Sequence, residues 1–433
     1  MADAASRLGT VAERLLGVPL PVRLRAWDGS ETGPAGAPVL VVRHRRALRR
    51  MLWRPGELGA ARAWVAGEID FEGNLYEALG RLSGVLWERD DQEPGPSLAA
   101  RLRDPEARAA VRELAALAGP WPPPLPPREE ARRRGGLLHT RRRDRRAISH
   151  HYDVGNDFYE LVLGPSMVYS CAYWESPDST LEQAQHDKLE LVCRKLALKP
   201  GDRLLDVGCG WGSMAAHAAR EHGARVVGIT LSTEQAAYAR KRIAEEGLAD
   251  RVEIRVQDYR DVDDGPYDAI SSIGMAEHVG SVRYRAYADI LYRLLKPGAR
   301  LLNHQIARRP MADEDAYELN EFIDSYVFPD GELAPLGRTV ASLEDAGLEV
   351  RDVESIREHY ALTLRRWVAA LESDWARAVR LTSPGRARVW RLYMAACAIA
   401  FERGDIGVNQ ILAVRTPEDG RSGLPLRTRE WRG

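Results

Sequence analysis

Leu204-Leu205-Asp206-Val207-Gly208-Cys209-Gly210-Trp211-Gly212 decides the fold: an apolar run passes through three alternating glycines into helical spacing from Met214. The apolar run reads as a buried strand. The glycines let the backbone approach a ligand closely, because no Cβ stands in the way. The helix behind them offers N–H groups that its own turns leave unpaired. Strand, glycine turn and helix in this order place a nucleotide-type ligand at the carboxyl end of a parallel strand. The acid leads the turn, Asp-x-Gly-x-Gly-x-Gly. A dinucleotide fingerprint leads with glycine and spaces its third glycine further out.

Working outward, strand-like runs at Arg203–Val207, Arg225–Thr230, Val252–Val256, Asp268–Ile273 and Ala299–Ile306 alternate with helical stretches at Met214–His222, Thr233–Glu246 and Val282–Leu295. The alternation predicts an α/β fold, a doubly wound, mostly parallel sheet with helices on both faces. Leu343–Ala346, Leu364–Ala378 and Arg386–Arg403 read as further helices, and Gly407–Val414 with the Arg- and Pro-containing end as a tail. Residues 1–118 read as a smaller, mainly helical unit. Its short strands fall at Val22–Trp27 and Pro38–Val42, its helices at Ala60–Phe71, Tyr76–Leu86 and Leu98–Leu117. Residues 119–147 read as a linker. Pro-rich Gly119–Pro127 fits neither a helix interior nor a sheet interior, and eight arginines with one acid, Asp144, follow between Arg132 and Arg146. Residues 148–433 form the catalytic domain in this reading.

A formal charge of −1 over 433 residues excludes a global attraction to nucleic acid. Four cysteines in a chain this long make no disulfide framework, and no metal-ligand motif stands out. The start of the chain lacks the apolar core of a targeting segment. The longest apolar run, Leu392–Phe401, is about half of the roughly 20 residues a membrane span needs. The expectation is a cytoplasmic protein peripheral to the inner face of the cell membrane.

The second strand ends at Thr230, where many nucleotide sites place an acid for the ribose hydroxyls, which speaks against a dinucleotide. The third ends at Gln257-Asp258, either of which suits an adenine amino group; a turn-capping role is the alternative for Asp258. The acid-first turn resembles that of S-adenosylmethionine (SAM) methyltransferases. That resemblance implies SAM contacts from Tyr169, Ser170, Asp206, Gly208, Cys209, Gly210, Thr230, Gln235, Gln257 and Asp258.

Two upstream blocks narrow the family: Ser149-His-His-Tyr-Asp-Val-Gly-Asn-Asp-Phe-Tyr159 and Tyr169-Ser-Cys-Ala-Tyr-Trp174. With Gly274-Met-Ala-Glu-His-Val-Gly280 and Tyr360-Ala-Leu-Thr-Leu364, they resemble the cyclopropane-fatty-acyl-phospholipid synthase family, which includes the mycolic acid cyclopropane synthases. The resemblance spans about residues 147–412; the first unit is more weakly similar to the helical domain of the bacterial synthases. It implies a class I methyltransferase that moves a methyl from SAM onto a cis double bond of a phospholipid acyl chain and closes a cyclopropane. An alkene is a weak nucleophile, so positioning must lower the barrier, and the carbocation formed demands a dry pocket. Aromatic faces stabilise such a cation by roughly 0.5–2 kcal/mol each; Phe158, Tyr159, Tyr169, Tyr173, Trp174, Tyr326 and Phe328 are the candidates.

The resemblance further implies a bound bicarbonate as base, held by Cys171, Glu277, His304 and Tyr360, with the Ile306 backbone beside it. Cys397 matches a family cysteine sometimes assigned as nucleophile, although its apolar helical setting favours packing. Ala276 stands where many synthases carry a bulky aromatic. Some relatives stop at an exomethylene branch that a partner reductase completes, and a soluble small-molecule methyltransferase is a further alternative. Implied partners are the unsaturated acyl chain and an anionic phospholipid surface met by the arginines, whose other reading is a solvated linker. A homodimer and the reductase are candidates beside them.

Overall fold

A computed structural model of the chain describes residues 3–86, 104–131, 154–314, 317, 319–329, 331–427 and 429. The arginine cluster and Ser149–Asp153 lie outside the described residues, as does the start of the helix expected from Leu98. Two compact units result: Met1–Arg133 with Asn320–Val327 and Thr382–Ile399, and Arg134–Leu319 with Phe328–Leu381 and Ala400–Gly433. The first unit therefore runs past residue 118 and recruits two late segments, which no break in composition announces.

In the first unit β1 (Arg23–Arg25), β2 (Glu31–Thr32), β3 (Val39–Val42) and β4 (Ile69–Glu72) form a sheet in the order β2-β1-β3-β4. Helices Ala4–Leu16, Arg46–Trp53, Glu57–Val65, Leu75–Leu86 and Pro105–Ala118 accompany it. The helix expected to run from Ala60 to Phe71 ends instead at Val65. Gly67 turns the chain at φ +71°, a left-handed conformation that costs glycine little, and Ile69–Glu72 then pairs with β3. The late segments are bonded into this unit: Trp64 Nε1 donates to the Arg388 carbonyl at 2.8 Å, and Asn320 Nδ2 donates to Glu57 at 2.6 Å.

The second unit is built on β5 (Arg203–Val207), β6 (Arg225–Thr230), β7 (Val252–Val256), β8 (Tyr267–Ile273), β9 (Leu295–Arg308), β10 (Glu349–Ser355) and β11 (Ile406–Val414). Their order is β10-β11-β9-β8-β5-β6-β7. The five strands from β9 to β7 are parallel, and β11 runs antiparallel to both β9 and β10. Each central strand is buried on both faces, as parallel sheets require: Leu204, Val226 and Ala269 face one apolar layer, Leu205, Ile229 and Ile270 the other. The expected tail at Gly407–Val414 is β11, an interior strand whose Val408 and Ile411–Val414 are fully buried. From β5 the order proceeds through β6 and β7 on one side and β8 and β9 on the other. This reversal opens a crevice at the strands' carboxyl ends.

Candidate active site

The crevice is a cleft with about 940 Å³ of empty space, open solvent at its mouth included. The glycine turn forms its floor. Gly208 and Cys209 both donate N–H bonds to the Ile229 carbonyl at 2.9 Å, which folds the turn tightly against β6. Gly208, at φ +77°, holds a left-handed backbone that disfavours other residues, and a Cβ there would crowd Met275 Sδ at 3.3 Å. Tyr169, Ser170, Asp206, Gly208, Cys209, Gly210, Thr230, Gln235 and Gln257 all line the cleft. Thr230 Oγ1 donates to Gln235 Oε1 at 3.0 Å, fixing that amide at the wall.

Asp206 is the charged group of the floor. Its Oδ1 accepts from Ser271 Oγ at 2.7 Å, whereas the buried Oδ2 has no hydrogen-bond partner. Burial pushes its carboxyl up to about 6. An acceptor oxygen held this way suits donors arriving with a ligand. Asp258, expected among the cofactor contacts, is not at the cleft. Its carboxylate accepts from the Arg260 backbone N–H at 3.0 Å and from its guanidinium at 2.8 and 2.6 Å, capping the 3-10 turn Tyr259–Asp261. Sequence alone left that role open; here the side chain takes it.

Lys188, which the sequence reading did not single out, also lines the cleft. It lies on helix Leu181–Leu196, only 1 % exposed, and its Nζ donates to Ser170 Oγ at 3.0 Å. Burial lowers its pKa to about 8, against the opposing pull of Cys171 and Asp206. A lysine at helical spacing reads as solvent-facing, so only the fold reveals it.

Beside the cleft lie the four residues expected around an anion. Glu277 sits on the 3-10 turn Ala276–His278 that follows β8. Its Oε1 accepts from the Ile306 N–H at 2.8 Å, and its buried Oε2 has no hydrogen-bond partner. Burial raises its carboxyl to about 7, against the pull of the Ile306 amide. The Ile306 amide, expected beside the anion, is thus engaged by Glu277: β9 holds the one and the turn after β8 the other. His304 lies on β9 two residues before Ile306, with Nε2 buried and unpartnered. Burial, then the charges of Lys188 and Lys195, hold its pKa well below the ordinary imidazole range, so the ring is neutral.

Burial likewise keeps Cys171 a thiol. Its Sγ donates to the Ala172 carbonyl at 3.2 Å and reaches the Ile356 carbonyl at 3.7 Å. Ile356 immediately precedes helix Arg357–Ser373, whose first turn carries Tyr360, and its N–H is bonded to Val408 of β11.

A run of aromatic rings links the two regions. Tyr159 packs on Trp211 at 4.6 Å and on Tyr169 at 5.5 Å between centroids. Tyr169 stacks on Trp367 at 5.4 Å, and Trp367 meets Tyr360 edge-on at 6.0 Å. Of the expected aromatic residues, Phe158 joins this run against Tyr159. Tyr173 instead stacks on His359 and Trp174 donates to Thr363, both in structural contacts. Phe328 packs on His278, while Tyr326 belongs to the first unit, its hydroxyl bonded to Glu130. Cys397 also belongs to the first unit. Burial raises its thiol to about 12, against the pull of Tyr393, which disfavours the thiolate a nucleophile needs.

Cys193, His217 and His222 form one group of metal-type side chains, their ligand atoms within 4.8 Å of one another. Glu190 Oε2 lies 3.2 Å from His217 Nε2 and 2.9 Å from His222 Nε2, tying helix Leu181–Leu196 to helix Ser213–His222.

This cleft at the switch point of a seven-stranded sheet, floored by an acid-first glycine turn, defines a class I methyltransferase. The sequence profile of the mycolic acid cyclopropane synthetase family matches residues 139–411, and the chain belongs to that family of SAM-dependent methyltransferases. A "Probable fatty acid methyltransferase" of Pseudomonas putida is 41% identical over 418 residues, covering 95% of this chain and 96% of the relative. A protein of the same name from Mycobacterium tuberculosis is 43% identical over 412 residues, 94% of each chain. The cyclopropane-fatty-acyl-phospholipid synthase of Escherichia coli is 39% identical over 270 residues, 62% of this chain and 68% of its own. Among solved structures, the mycolic acid cyclopropane synthase CmaA1 complexed with SAH and CTAB superposes with a TM-score of 0.59 at 34% identity, covering 62% of this chain and 98% of its own. Among the described residues, no helix is long and apolar enough to cross a membrane.

Proposed function

We propose that this methyltransferase acts on the cis double bond of an unsaturated phospholipid acyl chain and produces a cyclopropane. The observation that carries the reading is a pair of buried polar atoms without hydrogen-bond partners, Glu277 Oε2 and His304 Nε2. Glu277 is bonded to Ile306 of β9, and His304 lies on the same strand. A native interior rarely leaves such atoms unsatisfied unless a ligand completes them. The donor and acceptor chemistry suits bicarbonate: the Glu277 carboxylate would accept its O–H, and N–H and O–H donors of His304 and Tyr360 would hold its charged oxygens. When bound there it supplies a base.

In the reaction so read, SAM lies on the glycine turn. The alkene π pair forms a bond to the SAM methyl carbon while the C–S bond breaks, leaving neutral S-adenosylhomocysteine and a carbocation on the chain. In this reading the rings of Tyr169, Trp367 and Tyr360 would border the acyl chain, keep water from that cation and stabilise it through their π electrons. A proton then leaves the new methyl, and the C–H electrons close the ring. Even a weak base suffices for so acidic a proton, so a bicarbonate held there would take it up, with His304 and the Cys171 thiol holding that anion.

A second reading ends at a methylene branch, which a reductase converts to a methyl branch. It is favoured by the two relatives that match nearly the whole chain, both named as fatty acid methyltransferases. Which proton leaves separates the two products. Mass spectrometry of lipids from a host expressing the chain tests both: acyl chains gaining one CH2 support methyl addition, and resistance to hydrogenation marks a ring. Unchanged lipids refute both.

Contact with an anionic phospholipid surface through the arginines of 132–146 is part of the same proposal, each basic group adding about 1 kcal/mol. Replacing Arg141, Arg142 and Arg143 with glutamine should weaken sedimentation with anionic vesicles. Binding indifferent to both the change and to salt removes this part.

A further inference from the structure

We propose that Lys195 and Gln410 fix the single ring proton of His304 on Nε2, and so act as positioning residues for the anion site. The inference rests on the reading of Glu277 and His304 given above and extends it to two residues that touch no substrate. Register brings them together. Gln410 on β11 lies directly opposite His304 on β9 and opposite Glu354 on β10, so Glu354, Gln410 and His304 form one row across three strands. Lys195, in the last turn of helix Leu181–Leu196, covers that row with its side chain fully buried.

The donor inventory then determines each orientation in turn. The Lys195 ammonium has only protons to offer. It pairs with Glu354 Oε2 at 2.6 Å and donates to Gln410 Oε1 at 2.7 Å. A reversed amide would aim its own N–H groups at an ammonium, so the oxygen stays with Lys195 and the NH2 turns to His304. That NH2 lies 3.4 Å from His304 Nδ1. It too has only protons to offer, so Nδ1 must present its lone pair. A neutral imidazole with a free Nδ1 carries its proton on Nε2, the atom that lies buried and unpartnered. Buried ring donors are commonly oriented by an outer partner in this way.

The consequence is chemical selectivity. Toward the site, His304 is a donor only and Glu277 Oε2 supplies an acceptor. An anion that carries both an O–H and charged oxygens satisfies the two together. Nitrate, planar and of similar size but without an O–H, leaves Glu277 facing negative charge.

The test is the ring-nitrogen NMR spectrum of the full chain labelled with 15N-histidine, the His304 signals being identified by their loss in His304→Gln. The expected spectrum has a protonated Nε2 and an unprotonated Nδ1. In Gln410→Glu the new carboxylate accepts a proton from Nδ1, so the two nitrogens exchange character. The KM for bicarbonate should then rise tenfold or more while SAM affinity stays within twofold. Lys195→Met, which frees the amide to rotate, should give a mixture of both ring forms. A wild-type spectrum with the proton on Nδ1 overturns the proposal, and so does a Gln410→Glu protein with unchanged ring signals. Should Gln410→Glu fail to fold, the wild-type spectrum decides alone. Turnover that is independent of bicarbonate would refute the anion reading but leave the spectrum free to confirm or refute the proton's position.

Discussion

Replacing Lys188 with methionine should make the second unit more stable and the enzyme slower. The lysine's pKa falls from 10.5 to about 8 on folding, chiefly through burial. At about 1.4 kcal/mol per pH unit, holding the ammonium inside costs about 3 kcal/mol at neutral pH. Methionine fills the same volume without charge. It forfeits the hydrogen bond to Ser170 Oγ, a contact from a charged donor worth about 1.5 kcal/mol, so the net gain is about 1–2 kcal/mol. The sign with pH follows. Below pH 8 the lysine is protonated both folded and unfolded, and the full cost applies. Between 8 and 10.5 the unfolded chain binds a proton that the folded chain does not, so wild-type stability rises with pH. Urea unfolding at pH 7 and at pH 9.5 measures both effects: the variant should show the higher midpoint at pH 7, and the difference should shrink at pH 9.5. Turnover should drop at least tenfold, because Ser170 on the cleft wall loses its anchor and the site loses the cation that favours an anion near Cys171 and His304. A variant less stable than wild type at pH 7, with turnover intact, would show that the buried charge supports the fold rather than the site.

Glu277→Gln should lose most of its activity while retaining SAM binding by calorimetry, since the amide cannot take up a proton at Oε2; full activity would falsify the role given to that oxygen. Because burial raises Glu277 to about 7, wild-type turnover at a fixed bicarbonate concentration should decline as pH falls below 7 and the carboxylate is neutralised. A flat profile between pH 6 and 8 counts against it. At the pair of helices joined by Glu190, burial lowers His217 to about 4, against the pull of Glu190. Between 6.5 and 4 the unfolded chain binds the extra proton, so stability drops as pH falls through that window; His217→Phe should flatten that slope in urea titrations. Glu190 itself is raised by burial, but its bonds from His222, Arg194 and His217 prevail and hold it at about 2. Its contribution is therefore present above about 4.5 and disappears only as pH falls toward 2.

The sequence exposed the parts of this molecule whose pattern is local. Strands β5, β6 and β7 begin and end at the residues their Val, Ile and Leu runs predicted, and nine of the ten expected cofactor contacts line the cleft. What it hid depends on distant partners. β11 contains Asn409 and Gln410, polar residues that look like a surface tail until β9 and β10 enclose them. Lys188 and Lys195 sit at ordinary helical spacing, and nothing in that spacing distinguishes a solvated ammonium from a buried one. Trp367 is likewise one aromatic among many until Tyr169 and Tyr360 are seen on either side of it. Asp258 is the opposite case: a local partner two residues away engages its carboxylate, the capping role that the sequence had left open beside the cofactor one.

β11 is the last strand of its sheet in chain order yet lies inside it, between β9 and β10. As the polypeptide emerges from the ribosome, β9 therefore remains an uncovered sheet edge, with its N–H and C=O groups exposed, until residue 414 has been made. Such an edge invites pairing with other nascent chains. Expression slow enough to let chaperones cover it should thus raise the yield of native enzyme.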